Sequence, residues 1–148
     1  MDKIECFKNE YRFLSNFYIV HFSWEGFIWS SSESAYQAAK SVDKTLYPDF
    51  SRLTPSESKK LGRRLVLRED WEYIKFDIMK DILFNKFSQN ALIKKYLIDT
   101  NNAILEEGNH WNDRIWGVSP VGSGNGENNL GKILMNIRKE LCEISKNE

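Results

Sequence analysis

The segment Trp29-Ser-Ser-Ser-Glu33-Ser-Ala-Tyr-Gln-Ala-Ala-Lys40 constrains this chain more than any other. Ser30 and Glu33 stand three apart, the spacing of a capping box. In that motif a hydroxyl and a carboxylate each satisfy a backbone N–H left free at a helix start. A helix is therefore predicted to begin here. Glu33, Tyr36, Gln37 and Lys40 then recur at intervals of three and four and share one face. Ala35, Ala38, Ala39 and Val42 form another face, small enough for a neighbour to pack close. The polar face gathers a carboxylate, a phenol, an amide and an ammonium. It reads either as a solvated face with a capping Glu or as a set of reactive groups on one helix.

The rest of the chain has to bury this helix. With 148 residues, 41% of them hydrophobic, a single domain over 1–148 with one core is expected. Lys plus Arg and Asp plus Glu are both 21, so no global basic field draws in nucleic acid. Cys6 and Cys142 lie near opposite ends, with no metal-like spacing to each other or to His21 and His110. They read as free thiols in a reducing compartment. The charged N-terminus lacks the apolar stretch of a signal peptide. No apolar run approaches the roughly 20 residues that span a bilayer. A soluble, cytoplasmic protein with no membrane partner is expected. Aromatics make up 14% of the chain; Phe7, Phe22, Phe76, Phe84 and Phe87 are assigned to the core by default.

Taken in order, the first 29 residues read as extended and irregular. Ile4 to Phe7 suits a short strand, and Glu25-Gly26 between aromatic and β-branched runs suits a hairpin turn. Asn16, between apolar neighbours, is either a turn residue bonding its own backbone or a ligand contact. The chain is polar from Lys40 to Arg52. Thr54-Pro55-Ser56-Glu57 then marks a helix running to about Arg64. Gly62 inside that helix costs roughly 1 kcal/mol against Ala, which a close contact or a ligand would explain. The planar fork of Arg63 suits a phosphate or carboxylate. Asp70 is positioned to cap a long helix whose stripe is Trp71, Ile74, Ile78, Met79, Ile82, Leu83 and Phe87. Asn90 is positioned to cap a helix over 91–98 with Leu92, Ile93, Tyr96 and Leu97 inward. A strand is expected at 103–105. Residues 106–116 crowd carboxylates, amides and indoles without period, as a polar loop or the wall of a site. Glycines 122, 124, 126 and 131 follow, a weak signal for phosphate held on backbone N–H groups. Leu130, Ile133, Leu134, Ile137, Leu141 and Ile144 give a last amphipathic helix. The sum is a compact, mainly helical α+β domain with a few short strands.

The Trp29–Lys40 segment resembles the W-P-S-S-E-H-A-Y-Q-A-A-K signature of the YbiA-like family, also called NADAR. Phe13-Leu-Ser-Asn-Phe17 and Gly62-Arg63 resemble further family motifs. So do Leu105-Glu106-Glu107-Gly108-Asn109, Asp113-Arg-Ile-Trp116-Gly117 and Gly126-Glu-Asn128-Asn-Leu130-Gly131-Lys132-Ile-Leu134-Met135. Ser30 departs from the usual Pro and Ser34 from the usual His. The resemblance implies a YbiA-like fold and N-glycosidase activity, the hydrolysis of a bond between ribose C1 and a nitrogen. The implied substrates are ADP-ribose on a nucleobase such as guanine, or phosphoribosylamino-pyrimidine intermediates of riboflavin synthesis. The carrier is DNA or a free nucleotide. It implies Glu33 as the main catalytic carboxylate and Asp113 as the second. Lys40 and Arg63 fall on the phosphate side, and Trp71 and Trp116 are walls for base or ribose. Asn16, Asn109 and Asn128 orient the substrate, with Gly126 beside them; Glu107 is a further substrate contact, and whether it or Glu106 aligns with the family Glu rests on the Gly-Asn that follows. No metal or cofactor is called for. Two rivals stay open: a module that binds ADP-ribose or NAD without cleaving it, and an interaction protein using the loop at 106–129.

Overall fold

The computed structural model describes residues 3–148; Met1 and Asp2, part of the charged N-terminus, lie outside them. The chain divides into two compact units, residues 16–90 and residues 1–15 with 91–148. Among the described residues, six α-helices and two small sheets build a mainly helical α+β fold.

In the 16–90 unit, strands β2 (Phe22–Trp24) and β3 (Phe27–Trp29) form the expected hairpin. Glu25 and Gly26 both adopt positive φ, 53° and 81°, as a tight two-residue turn of this hand requires. The inward faces carry Trp24 and Trp29, which meet the ring of Tyr47 at 6.0 and 5.4 Å between centroids. Tyr47 opens α2 (Tyr47–Ser51), a short helix that the polar stretch 41–52 conceals in the sequence. Its buried Tyr47 and Phe50 are too few to show a period.

Helix α1 (Ser32–Ala38) is the hub of this unit. It packs against α2, α3 (Pro55–Gly62), α4 (Trp71–Ser88) and β3. Every residue from Ser32 to Ala38 is buried, so the polar face is not a solvated one. The expected capping box also moves. Ser31, not Ser30, is the N-cap and accepts from the Ser34 N–H. Ser30 instead donates to the Leu53 carbonyl. Glu33 therefore has no capping task. The Ser34 hydroxyl joins those of Ser31 (3.0 Å) and Ser58 (2.8 Å) and reaches the Leu53 carbonyl. This closed cluster ties α1 to α3.

The box at α3 forms as expected: Thr54 accepts from the Glu57 N–H, and Glu57 accepts from the Thr54 N–H. Asp70 precedes α4 but makes no capping bond, because its carboxylate is taken by Arg68 at 2.7 Å. At the other end of α4, Gln89 pairs with both backbone groups of Ser23, as a strand would. Of the expected core phenylalanines in this unit, Phe22 and Phe87 are buried, and Phe76 and Phe84 only half-buried. Val42, expected on the small-residue face, is exposed because α1 ends before it.

In the second unit, β1 (Lys3–Ile4) pairs in parallel with β4 (Ile104–Leu105). The expected extended start is partly a 3-10 turn over Asn9–Leu14. Helix α5 (Ala91–Asp99) buries Ile93 and Leu97, but Leu92 and Tyr96 are exposed, so its inward stripe is narrower than expected. Helix α6 (Asn129–Lys146) packs on β4 and α5 through Leu130, Leu134, Ile137 and Leu141; Ile144 lies largely outside. Arg138, buried, donates to the Thr100 hydroxyl and the Ala103 carbonyl, both at 2.9 Å. No helix among the described residues is long and apolar enough to cross a membrane. Cys6 and Cys142 are free.

The two hydroxyl sites of the 16–90 unit differ in what their loss exposes. Thr54→Ala removes one exposed cap and should cost about 1 kcal/mol. Ser34→Ala leaves the buried Ser58 hydroxyl without the partner it has in Ser34 and should cost roughly 1–3 kcal/mol. Denaturant midpoints of the two variants check the order.

Candidate active site

Helix α1 places Glu33 and Gln37 one turn apart, and both are buried. The Gln37 amide Nε2 donates to Glu33 Oε1 at 2.8 Å. Burial pushes the Glu33 pKa above the ordinary carboxylate range. The Gln37 hydrogen bond, then the ammonium groups of Lys59 and Lys40, pull it part of the way back. A buried carboxylate that has no capping task and draws on nearby cations is unusual, and such groups concentrate at functional sites.

The cations come from two helices. Lys40 follows α1, half-buried, with its ammonium 5.7 Å from the centre of the Tyr36 ring. Burial lowers its pKa; Glu33 raises it, and Lys59 and Arg63 lower it further. Lys59 lies in α3 with its ammonium 5.8 Å from the centre of the half-exposed Phe17 ring. Arg63 is exposed at the end of the same helix. Two ammonium groups thus act on one carboxylate, and Arg63 acts on one of them, Lys40. Lys59 is the member that the sequence reading lacked. Its spacing of four from Arg63, which sets both on one face of α3, is the signal that would have found it.

Asn16 anchors the loop before the hairpin to the start of α1. Its carbonyl accepts from the Glu33 N–H at 3.1 Å, and its Oδ1 accepts from the Ser32 hydroxyl at 2.8 Å. Its Nδ2 reaches Met79 Sδ at 3.7 Å. Of the two open readings for Asn16, turn or contact, the structure gives a third: a brace holding the backbone of Glu33. Trp71, at the head of α4, is 4% exposed and tilts on the Tyr36 ring at 5.1 Å. It stands behind α1 as packing, rather than as an open wall.

The remaining predicted residues lie in the second unit, on the loop from 106 to 128. Asn109 is buried, and its amide is the loop's centre. Nδ2 contacts the carbonyls of Glu107, Asp113 and Val118, while Oδ1 accepts from the Trp111 and Asp113 N–H groups. An amide has two donors and two acceptor positions, so its capacity is filled. Asn128, at φ +53°, donates to the Leu105 carbonyl and accepts from the Glu107 N–H. Both amides therefore shape the loop, where the sequence reading has them orienting substrate. Gly126, at φ +147°, leaves no room for a Cβ against the Gly117 carbonyl, so backbone packing accounts for it. Asp113 Oδ1 accepts from the Ile115 and Trp116 N–H groups, an Asx turn that leaves Oδ2 as its second oxygen. Trp116 is half-buried. Glu106 is buried and paired to Lys3 at 3.3 Å, whereas Glu107 is half-buried. Among the described residues, no group of three or more His, Cys, Asp or Glu is placed to hold a metal ion.

Comparison with known proteins agrees over nearly the whole chain. Residues 5–142 match the NADAR domain, a span that takes in parts of both units. A riboflavin biosynthesis protein of Vibrio vulnificus is 37% identical over 134 residues, 88% of this chain and 36% of that protein. The chain thus spans about a third of the length of that relative. The N-glycosidase YbiA of Escherichia coli is 34% identical over 137 residues, 90% of this chain and 84% of that protein. The NMR structure of Escherichia coli YbiA superposes with a TM-score of 0.83 at 33% identity, covering 99% of this chain and 86% of that one. In sequence and in backbone path, this chain belongs to the NADAR domain family.

Proposed function

We propose that the protein is an N-glycosidase that hydrolyses the bond between ribose C1 and a base or amine nitrogen, with Glu33 as its catalytic carboxylate. One observation carries the reading: a buried glutamate, free of capping duty, held by an amide and drawn on by two ammonium groups, those of Lys59 and Lys40. The names of its relatives, an N-glycosidase and a riboflavin biosynthesis protein, support the reaction class.

Cleavage of a ribosyl C1–N bond builds positive charge on the sugar ring as the nitrogen departs. A carboxylate beside C1 stabilises that charge and takes a proton from the attacking water. The water oxygen bonds to C1, the C1–N electron pair leaves with the nitrogen, and that nitrogen is protonated. A pKa raised by burial makes Glu33 a stronger base than an exposed carboxylate. The cations suit the other end of the substrate. Lys40, Lys59 and Arg63 hold the phosphate groups, with the guanidinium giving the planar, two-pronged contact. Asn16 keeps the backbone of Glu33 in place. The substrate is an ADP-ribosylated nucleobase such as guanine, on DNA or on a free nucleotide, or a phosphoribosylamino-pyrimidine. Residues 1–148 act as one NADAR domain. Asp113 is the second candidate carboxylate, for sugar hydroxyls or water, and Glu107 and Trp116 are candidate substrate contacts on the same loop.

Glu33→Gln should lower turnover on such a substrate by roughly a hundredfold or more, because the amide keeps the shape and loses the charge. Release of the free base, followed by chromatography, measures it. Near wild-type turnover would assign Glu33 to structure and leave Asp113 as the leading carboxylate.

The same substitution should act on stability with the opposite sign. The folded-state pKa of Glu33 lies above its unfolded value, so the folded state favours the proton. Stability from this group is present at low pH and is lost as pH rises through the folded pKa. Glu33→Gln should thus raise Tm relative to wild type at pH 8, and the gain should vanish near pH 4. Thermal unfolding at both pH values tests it.

Arg63→Ala and Lys59→Ala should raise KM more than they lower kcat, since a phosphate contact remote from C1 changes little during bond cleavage. A rate that saturating substrate fails to restore would place either residue in the chemistry or the fold instead.

A further inference from the structure

Two features of the 16–90 unit cost stability and meet at one point. The first is Gln37 Oε1, a buried acceptor with no hydrogen-bond partner. The amide cannot turn to relieve it. Turning would set Oε1 against the Glu33 carboxylate and leave the donors facing away. An acceptor buried without a donor is a penalty that an apolar side chain of similar shape would avoid. The second is Gly62, the last residue of α3, where glycine is a poorer helix former than alanine. A Cβ at Gly62 would collide with Gln37 Oε1, and would crowd its Cδ and Cβ as well. Glycine is needed because Gln37 occupies that space. Both costs serve a single contact, Gln37 Nε2 to Glu33 Oε1 at 2.8 Å.

We propose that Gln37, seated against Gly62, is a positioning residue that fixes the Glu33 carboxylate for the reaction. The Gln37 amide occupies Oε1 and leaves Oε2 to face the substrate. It also works against burial, which favours the neutral acid, by stabilising the ionised form through its N–H. Neither Leu nor Met could do this, although either would fill the space without an orphaned acceptor. Gly62 belongs to the same device, although its neighbour Arg63 offers the more obvious chemistry. The direction in which Gln37 moves the Glu33 pKa, downward, agrees with this geometry. The proposal rests on Glu33 being the catalytic carboxylate.

The test uses the full chain, with Gln37→Met keeping the volume and losing the donor, and Gly62→Ala pressing on an intact Gln37. Two readouts are taken for each: the Glu33 titration followed by carbon NMR of its carboxyl, and the pH profile of kcat. The Glu33 titration should move to higher pH in both variants. The acidic limb of kcat should move with it, and kcat near neutral pH should fall on the order of ten- to a hundredfold, with KM little changed. An unmoved Glu33 titration in Gln37→Met overturns the proposal. So does a moved titration with wild-type kcat. If Gly62→Ala does not fold, Gln37→Met alone decides. Failure of the underlying reading shows separately, as wild-type turnover in Glu33→Gln, because the NMR titration does not depend on turnover.

Discussion

Burying a polar helix is the constraint on which the 16–90 unit depends. Helix α1 carries a carboxylate, an amide and three hydroxyls among its seven residues, and all are inside. Buried polar groups hold only when they find partners. The fold supplies them from several directions. Ser31 caps the helix, and Ser58 and the Leu53 carbonyl close the hydroxyl cluster. Asn16 takes the Glu33 N–H, and Gln37 takes the Glu33 carboxylate. The aromatic cluster of Trp24, Trp29 and Tyr47 belongs to the same arrangement. It fastens the hairpin to α2, and both pack on α1.

The site inherits its chemistry from that burial. In water, Glu33 would be an ordinary carboxylate and Lys40 an ordinary ammonium. Desolvation raises the first and lowers the second, which brings a base and a cation toward the same pH range. Of the remaining cations, Lys59 is half-buried within α3, and Arg63 is exposed at its end, where charge costs less to keep.

The loop of the second unit follows a different rule. Its many amides and glycines resemble a binding surface in sequence, yet Asn109, Asn128 and Gly126 spend their special properties on the backbone. A long irregular loop has many N–H and C=O groups that no helix or sheet satisfies, and side-chain amides take up that work. Asp113 does likewise with one oxygen and keeps the other.

The sequence by itself determined the elements whose signals are local. The capping box at Thr54–Glu57, the Glu25-Gly26 turn and the stripe of α6 depend on neighbours within a few residues, as does the stripe of α4 apart from half-buried Ile74 and Ile78. So did the family, carried by the irregular motif at Trp29–Lys40 and its companions. It also put Glu33 and Gln37 one turn apart. It could not decide which serine caps α1, because Ser30, Ser31 and Ser32 are chemically alike and only the Leu53 carbonyl separates Ser30 from the cap. It could not hear α2, whose two core rings are a tertiary match to the hairpin. Nor could it distinguish an amide that holds a loop from one that holds a ligand, since the residue is the same and only the partner differs. The tertiary structure alone decided that Gly62 lies against Gln37, 25 positions away in the chain, because space between helices is set by packing and not by sequence distance.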